Sequence, residues 1–132
     1  MIKLPTVWVV DDDTDDQYLI ESAFKQFNPS IPIKQLGDGE ELLSCLTKAP
    51  ELPRLILLDL NMPRMNGFEA LEALRNVPAF QKIPVVVLTT SNRAEDKQKS
   101  MALGADGFLS KPPSQQATVS MLEQLTADWN LK

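Results

Sequence analysis

Short apolar runs alternate along this chain with segments whose apolar residues recur every three or four positions. The runs TVWVV (6–10), IPIKQL (31–36), RLILL (54–58), PVVVL (84–88) and GFL (107–109) predict five strands. The first, third and fourth are apolar almost without a break, as in strands of a parallel sheet buried on both faces. Between them, DDQYLIESAFKQF sets Ile20, Ala23, Phe24 and Phe27 on one helical face. Leu42, Leu43 and Leu46 do the same in a second segment, Leu71 and Leu74 in a third, and Val119, Leu122 and Leu125 in the last. The fourth helical segment, NRAEDKQKSMALGA, is the most polar and offers only Ala94, Met101, Ala102 and Leu103 as apolar surface. Helix starts are predicted where a capping residue stands three before an acid or amide: Thr14 with Gln17, Asp38 with Glu41, Asn66 with Glu69, and Asn92 with Glu95.

Five βα units in 132 residues predict a single α/β domain spanning 1–132. Its expected form is a three-layer, doubly wound, five-stranded parallel sheet of flavodoxin-like type, strand order 2-1-3-4-5. Nothing of domain size follows the fifth helix, so no output domain is expected. In such a sheet ligands gather beyond the carboxyl ends of the strands, where strands 1 and 3 lie side by side.

That edge collects an unusual set of side chains. Asp11 and Asp12 follow strand 1, Asp59 follows strand 3, Thr89 ends strand 4 and Lys111 follows strand 5. A single aspartate after a strand is ordinarily a turn or cap residue, and a single lysine a solvated one. Three converging carboxylates are a different matter, because they resist joint ionisation without a counter-charge. A hard divalent cation, Mg²⁺ by preference, supplies it. Asp59 is then placed as a nucleophile toward phosphorus, with Lys111 and the Thr89 hydroxyl available to the transferring phosphoryl group. No residue of the set is an evident base for rapid hydrolysis of the product. In the same acidic stretch, Asp15 and Asp16 read as first-turn acids favoured by the helix dipole, and Asp13 has no assignment beyond the turn.

Charge and composition narrow the classes. A net charge of −5 argues against nucleic acid as a partner. No apolar stretch approaches the roughly 20 residues that span a bilayer, and the opening MIKLPTVWVVDDD meets Asp11 too early for a signal peptide. The lone Cys45 suits a reducing cytoplasm. Histidine is absent, which excludes His-based triads, His-ligated metals and a phosphohistidine on this chain.

The motifs VVDDD (9–13), LILLDLNMPRMNGFE (55–69), PVVVLTTS (84–91) and GADGFLSKP (104–112) resemble, in order and spacing, a receiver domain of two-component response regulators. The resemblance covers essentially the whole chain and leans toward the stand-alone type that includes chemotaxis regulators and those paired with phytochrome-type kinases. It implies a signalling protein rather than an enzyme. Asp59 would accept a phosphoryl group from a sensor histidine kinase or a histidine phosphotransfer protein. Asp12 and Asp59 would bind Mg²⁺, Asp11 would hold a metal-bound water, and Asn61 would offer its backbone carbonyl. Thr89 and Lys111 would contact the phosphoryl group, and Phe108 would be the aromatic that changes rotamer with Thr89. A plain core role is the other reading of Phe108. The Lys111–Pro112 bond is expected to be cis. Asn61, Thr90 and Ser91 flank the site as tuning positions, Thr90 standing where alanine or glycine is frequent and Pro113 where phenylalanine is. Output would run through the face made by the fourth helix, fifth strand and fifth helix, to an unknown downstream protein or to a homodimer.

Three rival classes differ at named residues. An aspartate-dependent phosphohydrolase needs DxDx[T/V] after strand 1, and here Thr14 comes one place too early and Asp15 stands where Thr or Val belongs. An EF-hand started at Asp11 would need Gly and Glu where Asp16 and Ser22 stand. A receiver-fold binding module that no longer takes phosphate is the third, and it is separated from a working receiver only by phosphorylation itself.

Overall fold

The computed structural model describes residues 6–131. Residues 1–5, the start of the MIKLPTVWVVDDD stretch weighed above as a leader, lie outside it, as does 132. Five strands alternate with five helices: β1 Val7–Val10, α1 Thr14–Phe27, β2 Ile33–Leu36, α2 Gly39–Lys48, β3 Leu55–Leu58, α3 Gly67–Arg75, β4 Val85–Thr89, α4 Ala94–Ala102, β5 Gly107–Ser110 and α5 Gln115–Asp128. One 3₁₀ turn, Pro78–Phe80, leads toward β4. The sheet is parallel throughout in the order β2-β1-β3-β4-β5, as the sequence predicts.

Alternation along the strands builds two cores. Val7, Val9, Leu55, Leu57, Val86 and Leu88 face one way and meet Ile20, Phe24, Leu122 and Leu125 of α1 and α5. Trp8, Val10, Ile56, Leu58, Val85 and Val87 face the other way, onto Leu42, Leu46, Leu71 and Leu74 of α2 and α3. Each such leucine, fully buried, contributes roughly 1.5–3 kcal/mol of transfer free energy. The helical faces read from spacing are therefore the ones that are buried, with Leu43, Phe27 and Val119 packed at the margins.

The helix starts differ from expectation in two places. Asp38 caps α2 by accepting from Glu41 N at 2.9 Å. Asn66 and Glu69 form a reciprocal capping box at α3. At α1, however, the cap is Asp13 and not Thr14: Asp13 Oδ1 accepts from Asp15 N at 2.8 Å and Asp16 N at 3.2 Å. A carboxylate accepts two N–H bonds at a dipole-positive end where a hydroxyl is weaker. At α4 the cap position is Arg93 with no side-chain bond, and Asn92 plays no part. Ser91 Oγ fixes the approach to this helix start, accepting from Arg93 N at 3.2 Å and donating to the Asp96 carboxylate at 2.5 Å.

Helix α4 is also seated differently from its pattern. Its one buried residue is Ser100, whose hydroxyl is satisfied on the Asp96 carbonyl at 2.8 Å and so tolerates burial. Ala94, Met101 and Ala102 are exposed, and Leu103 packs on the core just past the helix end.

Candidate functional site: an acidic pocket at the strand ends

Register places the site. Val10 pairs with Leu58 across β1 and β3, so Asp11 and Asp59 leave adjacent strands side by side. Asp59 N donates to Val10 O at 3.0 Å and Asp11 N to Leu36 O at 2.9 Å, which fixes both backbones. Both side chains are buried, Asp11 at 2% and Asp59 at 6% exposure, whereas Asp12 faces solvent. One carboxylate oxygen from each of Asp11, Asp12 and Asp59 lies within 4.8 Å of the others.

The fifth strand brings the counter-charge. Thr89 aligns with Ser110 across β4 and β5, and Lys111 N donates to Thr89 O at 2.7 Å. From there Lys111 Nζ reaches Asp16 at 2.6 Å, Asp11 at 2.7 Å and Asp59 at 3.2 Å. Every peptide bond among the described residues is trans, Lys111–Pro112 included, where cis was expected. The trans form is favoured by about 0.5–1 kcal/mol before proline, and the long lysine stem enters the pocket without the cis bend.

Electrostatics follow from this packing. Burial pushes the Asp11 carboxyl up to about 6, against the opposing hydrogen bonds of Lys111 and Asp13 N. Burial alone would lower the Lys111 ammonium; the hydrogen bonds it donates to Asp11 and Asp16 and the charge of Asp59 outweigh burial and hold it above its ordinary range. One lysine therefore leaves Asp11 undercompensated. A divalent cation bound by oxygen donors fits that deficit, and Asp11, Asp12 and Asp59 supply hard oxygen ligands.

The remaining residues named from sequence lie around this centre. Thr89 is fully buried, and Ser91 N points at its Oγ1 at 3.4 Å. Thr90 is exposed and Ser91 half-buried, tied to β5 by Ser110 Oγ at 3.1 Å. Asn61 is exposed and lines, with Asp12, Met62, Asn66 and Phe68, an open depression of about 510 Å³ beside the carboxylates. Phe108 is half-buried and packed against the α2–α3 side of the core. Gly67 sits where a side chain would collide with the Asp59 carbonyl and meet Leu60 Cα at 2.8 Å, and its N–H bonds Leu60 O at 2.9 Å. The loop after Asp59 turns back on itself through that contact.

Sequence reasoning missed three residues here. Asp16, read as a first-turn acid, is the shortest partner of Lys111, 95 residues away. Gln17 donates to Asp11 O at 2.5 Å and Leu36 O at 3.3 Å, stapling β1 to β2 under the pocket. Arg64, in the left-handed region at φ 60°, ion-pairs with the buried Asp38 and ties the β3–α3 loop to the start of α2. The Glu41 N–H, with Arg64 adding to it, holds the Asp38 carboxyl below its usual range despite its burial. The only sequence signal for Asp16 was its place in the first turn of a helix that begins at the strand edge.

Comparison with known proteins agrees with this arrangement. The family model for the response regulator receiver domain matches residues 7–123. The chain is 30% identical over 128 residues to the response regulator Rcp1 of Synechocystis, covering 93% of this chain and 87% of that one. It is 33% identical over 106 residues to a probable chemotaxis protein CheY of Rhizobium etli, covering 80% of each. Among solved structures, the phosphorylated cyanobacterial phytochrome response regulator RcpA superposes with a TM-score of 0.88 at 27% identity, over 96% of this chain and 94% of that chain. The Mn²⁺-bound form of Rcp1 superposes with a TM-score of 0.84 at 29% identity, over 97% and 95%. With a matching family model over most of its length, a shared strand order and the acidic pocket at the strand ends, the chain belongs to the response regulator receiver domain family.

Proposed function

We propose that this receiver domain takes a phosphoryl group onto Asp59 from a phosphohistidine of a sensor kinase or histidine phosphotransfer protein. The observation that carries the reading is the convergence of buried Asp59 with Asp11 and Lys111 at one strand edge. An Asp59 oxygen attacks phosphorus; the O–P bond forms as the P–N bond breaks, and its electron pair leaves with the imidazole. Mg²⁺, held by Asp11, Asp12, Asp59 and the Asn61 carbonyl, would neutralise charge on these carboxylates and on the phosphoryl group. Lys111 keeps its charge in this pocket, so an ammonium is ready to pair with a phosphoryl oxygen, and Thr89 supplies a hydroxyl from the next strand. No evident base stands by to speed hydrolysis, which makes the domain a switch and not a turnover enzyme. Asn61, Thr90 and Ser91 surround the site and would tune access of water.

The signal would leave through α4, β5 and α5. Helix α4 buries only Ser100, so it is weakly anchored. Drawing Thr89 toward the phosphoryl group would pull on the β4–α4 loop, which Ser91 ties to Asp96 and Ser110, and would let Phe108 turn inward. The face so altered would contact a downstream protein or a second copy. The free Cys45 and a kinase as phosphoryl source suit the cytoplasm. The relatives described above, one phosphorylated and one Mn²⁺-bound, support the reading.

Incubation with Mg²⁺ and acetyl phosphate, followed by intact mass, tests it. A phosphoryl adduct on the wild type that is absent from Asp59→Asn is expected. No adduct on the wild type overturns the proposal and leaves a phosphate-blind binding module. Amide shifts at Thr89, Phe108 and along α4 on adding a phosphoryl mimic test the output face.

A further inference from the structure

The shortest bond of Lys111 goes to the one carboxylate of the pocket outside the set that could hold a metal. Asp16 Oδ2 lies 2.6 Å from Nζ, yet the clustered oxygens belong to Asp11, Asp12 and Asp59. Asp16 occupies the first turn of α1, its N–H held by the Asp13 cap at 3.2 Å, and is more open to solvent, at 28% exposure, than Asp11 or Asp59. The ammonium has three donors and spends one on each of Asp16, Asp11 and Asp59. Two of those acceptors are the carboxylates a divalent cation must claim. The lysine and the metal therefore compete for Asp11 and Asp59, and the ammonium has to be held elsewhere when the cation arrives. A small cavity of about 40 Å³ that Lys111 and Asp16 line is otherwise bounded by Leu19, Ile20, Leu88, Pro112, Thr118 and Met121, so Asp16 is the one anion on its wall.

We propose that Asp16 is a positioning residue that retains the Lys111 ammonium at the rim of the pocket while Asp11 and Asp59 turn to Mg²⁺. It leaves the two N–H groups given up by Asp11 and Asp59 free, one of them to meet a phosphoryl oxygen on Asp59. The inference rests on the phosphoacceptor reading given above, and it acts wholly through Lys111. Without Asp16, the ammonium has only the metal-binding carboxylates to pair with and becomes a stronger competitor of the cation.

Mg²⁺ binding measured by calorimetry or amide shifts, with no phosphoryl donor present, tests it on the wild type, Asp16→Asn, Lys111→Met and the double variant. Asp16→Ser, equally at home in a first helical turn, serves as a second replacement, and thermal unfolding checks that each variant folds. Loss of Asp16 should weaken Mg²⁺ binding by about fivefold, the scale of a partly exposed ion pair. Lys111→Met should bind the ion more tightly than the wild type, and in that background the loss of Asp16 should change affinity by less than about twofold. An equal loss in both backgrounds would mean that Asp16 acts by simple attraction of the cation, and overturns the proposal. No loss in the wild-type background overturns it too. Asp59→Asn separates the two readings. If it leaves Mg²⁺ affinity unchanged, the metal reading of the pocket fails and this inference with it; if it abolishes binding while Asp16 and Lys111 show no coupling, only the positioning role fails.

Discussion

Asp11→Asn should stabilise the metal-free domain, and only above acidic pH. Unfolded, Asp11 loses its proton near its ordinary value of 3.8; folded, it holds the proton up to about 6. Between those values the folded state binds more protons than the unfolded one, so raising the pH through this window removes stability. The difference of about two pH units, at about 1.4 kcal/mol each, sets a ceiling of roughly 3 kcal/mol at neutral pH. Asparagine cannot titrate and escapes that penalty. The folded value of about 6 already includes the opposing charge-assisted bond that Asp11 makes with Lys111 at 2.7 Å, so nothing more is subtracted for it. The net gain expected is about 2–3 kcal/mol at pH 7.5. At pH 4 the folded Asp11 is already protonated, and the gain should shrink to under about 0.5 kcal/mol. Urea unfolding of both proteins in chelator at the two pH values measures this. A variant less stable than the wild type at pH 7.5, or an equal gain at both pH values, would refute the reasoning.

The same proton opposes the metal. Mg²⁺ affinity measured by calorimetry should fall as the pH drops below about 6, approaching tenfold per pH unit, and a flat profile would count against Asp11 as a ligand. Asn66→Ala should cost about 1 kcal/mol in urea unfolding because it breaks a two-sided capping box, whereas Asn92→Ala should change stability by less than about 0.3 kcal/mol because Ser91 holds that helix start. Gly67→Ala should cost at least about 3 kcal/mol, since the added carbon meets the backbone of Asp59 and Leu60, which cannot yield as a side chain would. An unchanged unfolding midpoint for that variant would show that the β3–α3 loop is looser than its contacts imply.

Where a feature depends on local pattern, it was legible before any coordinates. The unbroken apolar runs at 55–58 and 85–88 could only be central strands, and their even spacing with amphipathic segments left one economical topology. Asp11, Asp12, Asp59, Thr89 and Lys111 could be placed on one edge because each directly follows or ends a strand. Contacts between side chains far apart in sequence were not legible. Asp16 meets Lys111 and Arg64 meets Asp38 through helix starts and a left-handed turn that no periodicity encodes. The cap at Asp13 was missed because Asp13 and Thr14 are both good capping residues and one position apart, so only the backbone decides between them. Helix α4 misled for a related reason: its contact with the core uses a serine, which a search for apolar faces passes over.

The central claim is that Asp59, among the carboxylates of this pocket, carries the phosphoryl group. Borohydride reduces an acyl phosphate to the alcohol and would convert a phosphorylated aspartate to homoserine. Treating the acetyl-phosphate-charged protein in this way and mapping its peptides by mass should find homoserine at position 59 and nowhere else. Homoserine at position 11 or 12, or none in a protein shown to be folded and Mg²⁺-bound, would contradict the account.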